Sequence, residues 1–236
     1  MEIQKGIEII DLALYLKKEK ILIISDLHLG YEEALNKQGI LLPRFQFEDI
    51  IKKLKNILKK VNPELIIING DLKHEFGTIS KTEWKQVLDL IDFFKDKKIL
   101  LIKGNHDNIL GPIAKKKNVK LIDKYETNNI LITHGHKIPK KLNKTIIIGH
   151  EHPAISFDER SDQKFKCFLK GKFERKTLIV MPSFNLLQQG TDVTKQKTLS
   201  PFLKKDLKNF EVYIVEDKVY KFGKIKNIKD LSNSDT

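Results

Sequence analysis

The sequence predicts an α/β fold whose strand-rich second half stacks on an alternating first half. Three observations carry that reading. Short, β-branched apolar runs alternate with segments of helical periodicity through about residue 105. Helical periodicity then fades after about residue 120 while strand-like runs continue. Five of the apolar runs end in histidine, aspartate or asparagine, as expected where the carboxyl ends of strands build a ligand site.

Taken in order, Glu2 to Tyr15 alternates loosely and predicts one or two strands. Lys20–Ser25 is a compact strand running into Asp26-Leu27-His28-Leu29-Gly30. Tyr31–Lys37 and Gln46–Lys60 have helical spacing; in the second, Ile50, Leu54, Ile57 and Val61 recur on one face with lysines opposite, and Asn62-Pro63 stops it. Glu64–Asn69 is a strand ending at Gly70-Asp71-Leu72-Lys73-His74. Ser80-Lys81-Thr82-Glu83 has capping-box spacing, followed by Trp84, Val87, Leu88, Ile91 and Phe94. The strand Ile99–Ile102 leads to Gly104-Asn105-His106-Asp107.

A short helix is expected over Ile109–Lys116, with strands at Val119–Ile122 and Asn129–Thr133, the latter reaching His134-Gly135-His136. Lys144–Ile148 ends at Gly149-His150-Glu151-His152-Pro153. Ile155–Phe157, Lys164–Phe173, Thr177–Met181, Phe210–Glu216 and Val219–Phe222 read as second-sheet strands, with Glu216-Asp217-Lys218 as a hairpin turn. Gln188–Leu207 reads as a loop or short helix, and residues 229–236 as a polar C-terminal tail. No repeat or linker interrupts the rest, which predicts one domain over residues 1–228.

Hydrophobic content of 40% with 32% charged residues fits a soluble globular protein and excludes a disordered one. No apolar stretch nears the roughly 18–20 residues of a membrane span, and the N-terminus lacks a signal-peptide layout. A lone cysteine, Cys167, allows no internal disulfide, so a reducing cytoplasm is expected and Cys167 reads as a small buried hydrophobe. The net charge of +13 has two readings, a surface for polyanions or a lysine-rich compositional background. Only Arg44, Arg160 and Arg175 are arginine, which weakens the first, since guanidinium suits bidentate phosphate contacts.

All seven histidines lie in or beside the strand-end loops. Two aspartates, one asparagine and four or five histidines exceed what one ion accepts, and two ions bridged by a shared carboxylate would use them. Mixed imidazole, carboxylate and amide donors suit Mn, Fe, Zn, Ni or Co over Mg or Ca. Two such ions clamp a phosphoryl group and generate a hydroxide nucleophile near neutral pH.

The motifs Asp26-x-His28, Gly70-Asp71, Gly104-Asn105-His106-Asp107, His134 and Gly149-His150-x-His152 together resemble the ordered motif set of calcineurin-like metallophosphoesterases. The flanking stretches, Ser25–Glu32, Gly70–Glu75 and Met181-Pro182-Ser183-Phe184, are similar to small prokaryotic phosphoesterases of the ligase-associated type. The resemblance implies a four-layer β-sandwich of two mixed sheets flanked by helices. It also implies a dinuclear phosphoesterase, most simply a phosphodiesterase, with manganese first among the ions. Asp26, His28 and His152 would hold one metal, Asn105, His134 and His150 the other, and Asp71 would bridge them.

In family members with this motif the residue at His106 is a leaving-group acid rather than a ligand, and an imidazolium is chemically suited to that task. Asp107 has two readings, an orienting partner for His106 or a carboxylate that ties down the loop. His74, His136 and Arg44 are the candidates for substrate contact; His136, two residues past His134, would face away on an extended segment. A nuclease acting on DNA or RNA in repair and a non-catalytic, metal-stabilised nucleic-acid scaffold are the alternatives. The expected partners are a phosphoester substrate and, in the second and third readings, nucleic acid, with no membrane. Oligomeric state leaves no mark in the sequence.

Overall fold

Strands that are continuously apolar, such as Ile21–Ile24 and Thr145–Ile148, must be covered on both sides, and that requirement sets the layers of this molecule. The computed structural model describes residues 1–43, 45–157 and 163–232. Its first sheet holds seven strands in chain order: β1 (Glu2–Gln4), β2 (Ile7–Ile10), β3 (Ala13–Leu16), β4 (Ile21–Ile24), β5 (Leu65–Asn69), β6 (Lys98–Ile102) and β7 (Lys120–Ile122). β1 to β4 are antiparallel neighbours, and β4 to β7 run parallel. Helices α1 (Tyr31–Lys37) and α2 (Gln46–Lys60) follow β4, α3 (Lys81–Phe93) follows β5, and α4 (Gly111–Lys116) follows β6. The apolar stripes of α2 and α3, with Ile50, Leu54, Ile57, Val87, Leu90 and Ile91 buried, join the core of this sheet. The capping box of α3 forms as its spacing predicts, Ser80 accepting from the Glu83 amide.

The second sheet comprises β8 (Lys124–Thr127), β9 (Ile130–Thr133), β10 (Thr145–Ile148), β11 (Pro153–Ile155), β12 (Phe165–Phe173), β13 (Lys176–Val180), β14 (Thr191–Asp192), β15 (Glu211–Val215) and β16 (Val219–Lys224). Alternate residues divide between its faces. Ile132, Ile147, Phe168, Ile179 and Tyr213 share a core with the first sheet. Their sequence neighbours Leu131, Ile146, Ile148, Leu169, Leu178 and Ile214 form a second core with Phe202, Leu203 and two residues of α5 (Ile225–Ser232), Ile225 and Ile228. The order is therefore helices, sheet, sheet, then α5 and the short 3-10 turn Pro201–Leu203.

The N-terminus makes three strands where one or two were expected, because left-handed Gly6 (φ 79°) and Asp11 (φ 57°) turn the chain tightly. β8 was not expected, its alternation being mostly polar; it forms through the turn at left-handed Asn128 and Asn129. β11 starts two residues before the expected Ile155–Phe157 strand, since Pro153 and Ala154 pair with β14. β14 itself lies in the stretch expected as loop or short helix. Helix α5 runs four residues into the expected tail, and residues 233–236 lie outside the described residues. Among the described residues no helix is long and apolar enough to cross a membrane. The carboxyl ends of β4, β5 and β6 and of β9 and β10 thus carry all five polar motifs.

Ile147 is fully buried between the two sheets. Ile147→Ala is expected to lower stability by about 2–5 kcal/mol without changing the denaturant m-value, read from urea unfolding.

Candidate metal centre

The loops that follow these strands hold their side chains inward through unusual backbone. Asp26, His28, Asp71, His150 and His152 all have positive φ, between 44° and 66°. Non-glycine residues seldom adopt that region, at a cost of about 1–3 kcal/mol each. Each such residue folds the chain back sharply after its strand, so that side chains only two residues apart, such as His150 and His152, reach one cluster. Gly104 shows the same crowding: a Cβ there would lie 2.0 Å from Asp71 Oδ1.

Two clusters of side chains contain a carboxylate: Asp26, His28 and His152 form one, and Asp71, His134 and His150 form the other; His28, His74 and His106 make a third without one. Asp26 Oδ1 lies 3.3 Å from His152 Nε2, and His28 Nε2 lies 3.4 Å from the same nitrogen. Asp71 Oδ2 stands between the groups, 3.3 Å from His134 Nε2 and 3.8 Å from His28 Nε2. The Asn105 Oδ1 atom joins the second group, 3.1 Å from His134 Nε2. Asp26, Asp71, His28 and His134 are buried.

Burial raises the Asp26 and Asp71 carboxyls, but the surrounding imidazoles outweigh it: His152 and His134 lower Asp26, and His134 and His28 lower Asp71. His134, despite its burial, is pushed up to about 9 by Asp71 and Asp26. Burial and the neighbouring imidazoles push His28 down to about 3 and His150 to about 4. The neutral imidazole is the metal-binding form. Asp26 Oδ1 is buried with no hydrogen-bond partner, a cost that a cation would relieve. The donor set and this orphaned oxygen fit divalent metal.

His106 lies beside these groups, its ring 5.1 Å from that of His28 and 5.8 Å from that of His74. Its Nδ1 is 2.6 Å from the His74 carbonyl oxygen. A carbonyl only accepts, so Nδ1 donates and Nε2 is the nitrogen left to exchange a proton. Asp107 therefore does not orient His106, as one of its two readings had it. Its carboxylate accepts from the backbone amides of Leu72 (3.0 Å) and Gly104 (2.9 Å), tying the Asp71 loop to the Asn105 loop. Burial and Asp71 push the Asp107 carboxyl up to about 6.

His136 differs from expectation. Gly135, with φ 108°, breaks the extended path, so the ring returns to within 5.2 Å of His134 and 6.1 Å of His150. His74 stacks beside His106 and meets Tyr31 edge-on at 4.8 Å. Arg44 lies outside the described residues.

Several supporting residues act on partners outside their own segments. Ser183 Oγ donates to the Asp26 carbonyl (2.6 Å), and Asn185 Nδ2 to that of Leu27 (3.2 Å), so the loop after β13 braces the loop after β4. Lys166, pushed down to about 7 by burial, donates to the Ser183 and Asn185 carbonyls. Glu83 accepts from the amides of His74 (3.1 Å) and Glu75 (2.7 Å), fixing the carbonyl that His106 uses. Glu151, between two histidines, accepts instead from the amides of Leu199 and Ser200. Only the three-dimensional path joins these pairs.

A family model described as calcineurin-like phosphoesterase matches residues 19–208. The chain belongs to this family. Its members are phosphoester hydrolases that bind divalent metal, and the Asp and His groups of this calcineurin-like phosphoesterase suit that chemistry. No curated protein sequence matches it. Among solved structures, nuclease MPE of Pseudomonas putida aligns with a TM-score of 0.66 at 19% identity, over 90% of this chain and 92% of that one. YfcE, a phosphoesterase from E. coli, aligns with a TM-score of 0.41 at 12% identity, over 84% and 88% of the two chains. At such identities the likeness to nuclease MPE is one of fold.

Gly104→Ala would drive its methyl into the Asp71 carboxylate. The substitution is expected to lower bound metal well below the parent's stoichiometry, measured by elemental analysis of protein dialysed against Mn²⁺, with little change in far-UV circular dichroism.

Proposed function

We propose that residues 1–228 act as one dinuclear-metal-dependent phosphodiesterase domain in which His106 protonates the leaving oxygen. The observation that carries the reading is the His106 hydrogen bond to the His74 carbonyl beside two ligand groups. Asp26, His28 and His152 would hold one ion, Asn105, His134 and His150 the other, with Asp71 shared. Divalent transition metals bound there, manganese first and Fe, Zn, Ni or Co as substitutes, supply positive charge to the phosphoryl oxygens and lower the pKa of the attacking water.

The protein's own residues do the remainder. The His74 carbonyl holds the His106 ring so that Nε2 faces the departing alkoxide, and general acid catalysis of that kind contributes about 10²–10⁴-fold. Asp107 acts by fixing the two loops, and so positions His106 only through the backbone. His74, beside His28 and His106, and His136, beside His134 and His150, are the side chains available to meet substrate; Arg44 is the third candidate. The lone buried Cys167 favours a cytoplasmic protein.

Nuclease activity on DNA or RNA is the second reading, favoured by the fold shared with nuclease MPE and by the net charge of +13. A non-catalytic scaffold would need the ligands and not a proton donor, and the hydrogen-bonded His106 argues against it.

Hydrolysis of bis(4-nitrophenyl) phosphate is expected with Mn²⁺ and lost with chelator; absence of metal-dependent release refutes the enzyme reading. His106→Ala should retain metal while turnover of an unactivated alkyl diester falls about 10²–10⁴-fold, and equal rates for variant and parent would remove the general-acid assignment. Asp71→Asn is expected to cost both ions, so two metals per chain by elemental analysis contradicts its bridging role.

A further inference from the structure

Helix α2 carries two apolar lines, and the fold covers one of them. Ile50, Leu54 and Ile57 are buried in the core of the first sheet. At the next positions round the helix, Phe47, Ile51 and Leu58 recur at i, i+4 and i+11 and are only half-buried. With half-buried Phe93 at the end of α3 they line a groove of about 900 Å³ between the two helices. Phe45, the residue that opens α2, is itself 61% exposed. Large apolar side chains left open along a groove mark a surface that a further element covers.

The rim of the groove is charged with a matching period. Lys52, Lys55 and Lys59 stand at i, i+3 and i+7 and line the groove beside the apolar residues. All three are exposed and without an ion-pair partner among the described residues, whereas Lys53 in the same helix pairs with Asp11 at 2.9 Å. Lys97 adds a fourth ammonium from the α3 side, where it donates to Asn62 Oδ1 at 2.6 Å. Glu48 and Asp96 are the carboxylates of the lining, so cations are in excess. A lysine-rich background scatters charge over every face; it does not set three unpaired lysines in register with an apolar line.

We infer that the groove between α2 and α3 docks an acidic amphipathic helix of a partner protein, its apolar residues on Phe47, Ile51, Leu58 and Phe93 and its carboxylates against Lys52, Lys55 and Lys59. Two helices side by side present ridges between which a third helix packs, and apolar anchors with opposite charge alongside are how grooves of this kind recognise one. Nucleic acid would meet the lysines and leave the apolar line wet. A second copy of this chain, at a net charge of +13, would bring mostly like charge to the rim. The α3 side of the groove, Phe93 to Lys97, leads into the amino end of β6, while Asn105 and His106 follow its carboxyl end. A helix seated in the groove therefore leaves the Asp and His clusters open.

The test uses a fluorescein-labelled peptide of about 20 residues with leucine on one helical face and glutamate over the rest, its binding to the full chain read by fluorescence anisotropy. Two controls keep its charge: in one the leucines are scattered by scrambling, in the other they are replaced by glutamine. The peptide is expected to bind at least roughly 10-fold more tightly than either control. The triple variant Lys52→Glu, Lys55→Glu, Lys59→Glu should lose at least roughly 10-fold in affinity for it, and should exceed the parent in affinity for a peptide with lysine in place of glutamate. Far-UV circular dichroism reports whether the triple variant is folded; Lys55→Glu alone, expected to lose roughly 2- to 5-fold, carries the test if it is not. No binding, equal binding of either control, or affinities that ignore the charge reversal overturn the inference. Self-association of the parent in sedimentation velocity that the charge reversal abolishes overturns it in favour of a second copy. Oligonucleotide binding in place of peptide binding, lost in the same variant, overturns it in favour of nucleic acid. None of these readouts depends on hydrolysis.

Discussion

Two buried carboxylates set the terms for this molecule. Asp26 and Asp71 are almost wholly removed from water, and one imidazole, His134, lies 3.5 Å from the first and 3.3 Å from the second. Ions transferred from water into protein cost several kcal/mol each unless opposite charge is close by. Here the opposite charge is a proton on His134, raised to about 9 by the two anions, or a cation in its stead. The same electrostatic demand that would make the centre unstable if empty of positive charge makes it strong toward divalent metal. A burial cost and a ligand affinity are two descriptions of one arrangement.

Holding the arrangement needs support from well outside it. Left-handed backbone at Asp26, His28, Asp71, His150 and His152 is unfavourable locally and persists because both cores and several long-range hydrogen bonds leave the loops no alternative. Asp107 ties the Asp71 and Asn105 loops together, Ser183 and Asn185 secure the Asp26 loop, and Glu83 fixes the backbone whose carbonyl orients His106. The inward-facing Asp, Asn and His side chains thus stand on loops, but the loops behave as extensions of the sheets.

How much of this is legible in one sequence follows from the range of each interaction. The helices α2 and α3 and the strands β4 to β6 are local patterns, so periodicity and the Ser80 capping box announce them. The candidate ligand residues are legible because imidazoles and carboxylates gathered at strand ends have no use in a core. The path of His136 is not, since a left-handed Gly135 reverses the alternation that extended backbone implies. Asp107 looks like a partner for its neighbour His106 by proximity, while the structure gives its oxygens to amides in two different loops. Asn185 is invisible because its partner Leu27 lies 158 positions away in the chain, and β8 because its edge position tolerates polar residues.

The bracing of Asp26 by Ser183 joins residues 157 positions apart, and Glu151 depends on amides at Leu199 and Ser200, a further 48 and 49 positions on. During synthesis, the ligand loops therefore emerge from the ribosome long before their braces do. Contacts of such sequence separation form late. The Asp and His residues after β4 and β5 exist as a polypeptide well before the residues that brace them, and the converged cluster can form only after residues 183–200 have been made.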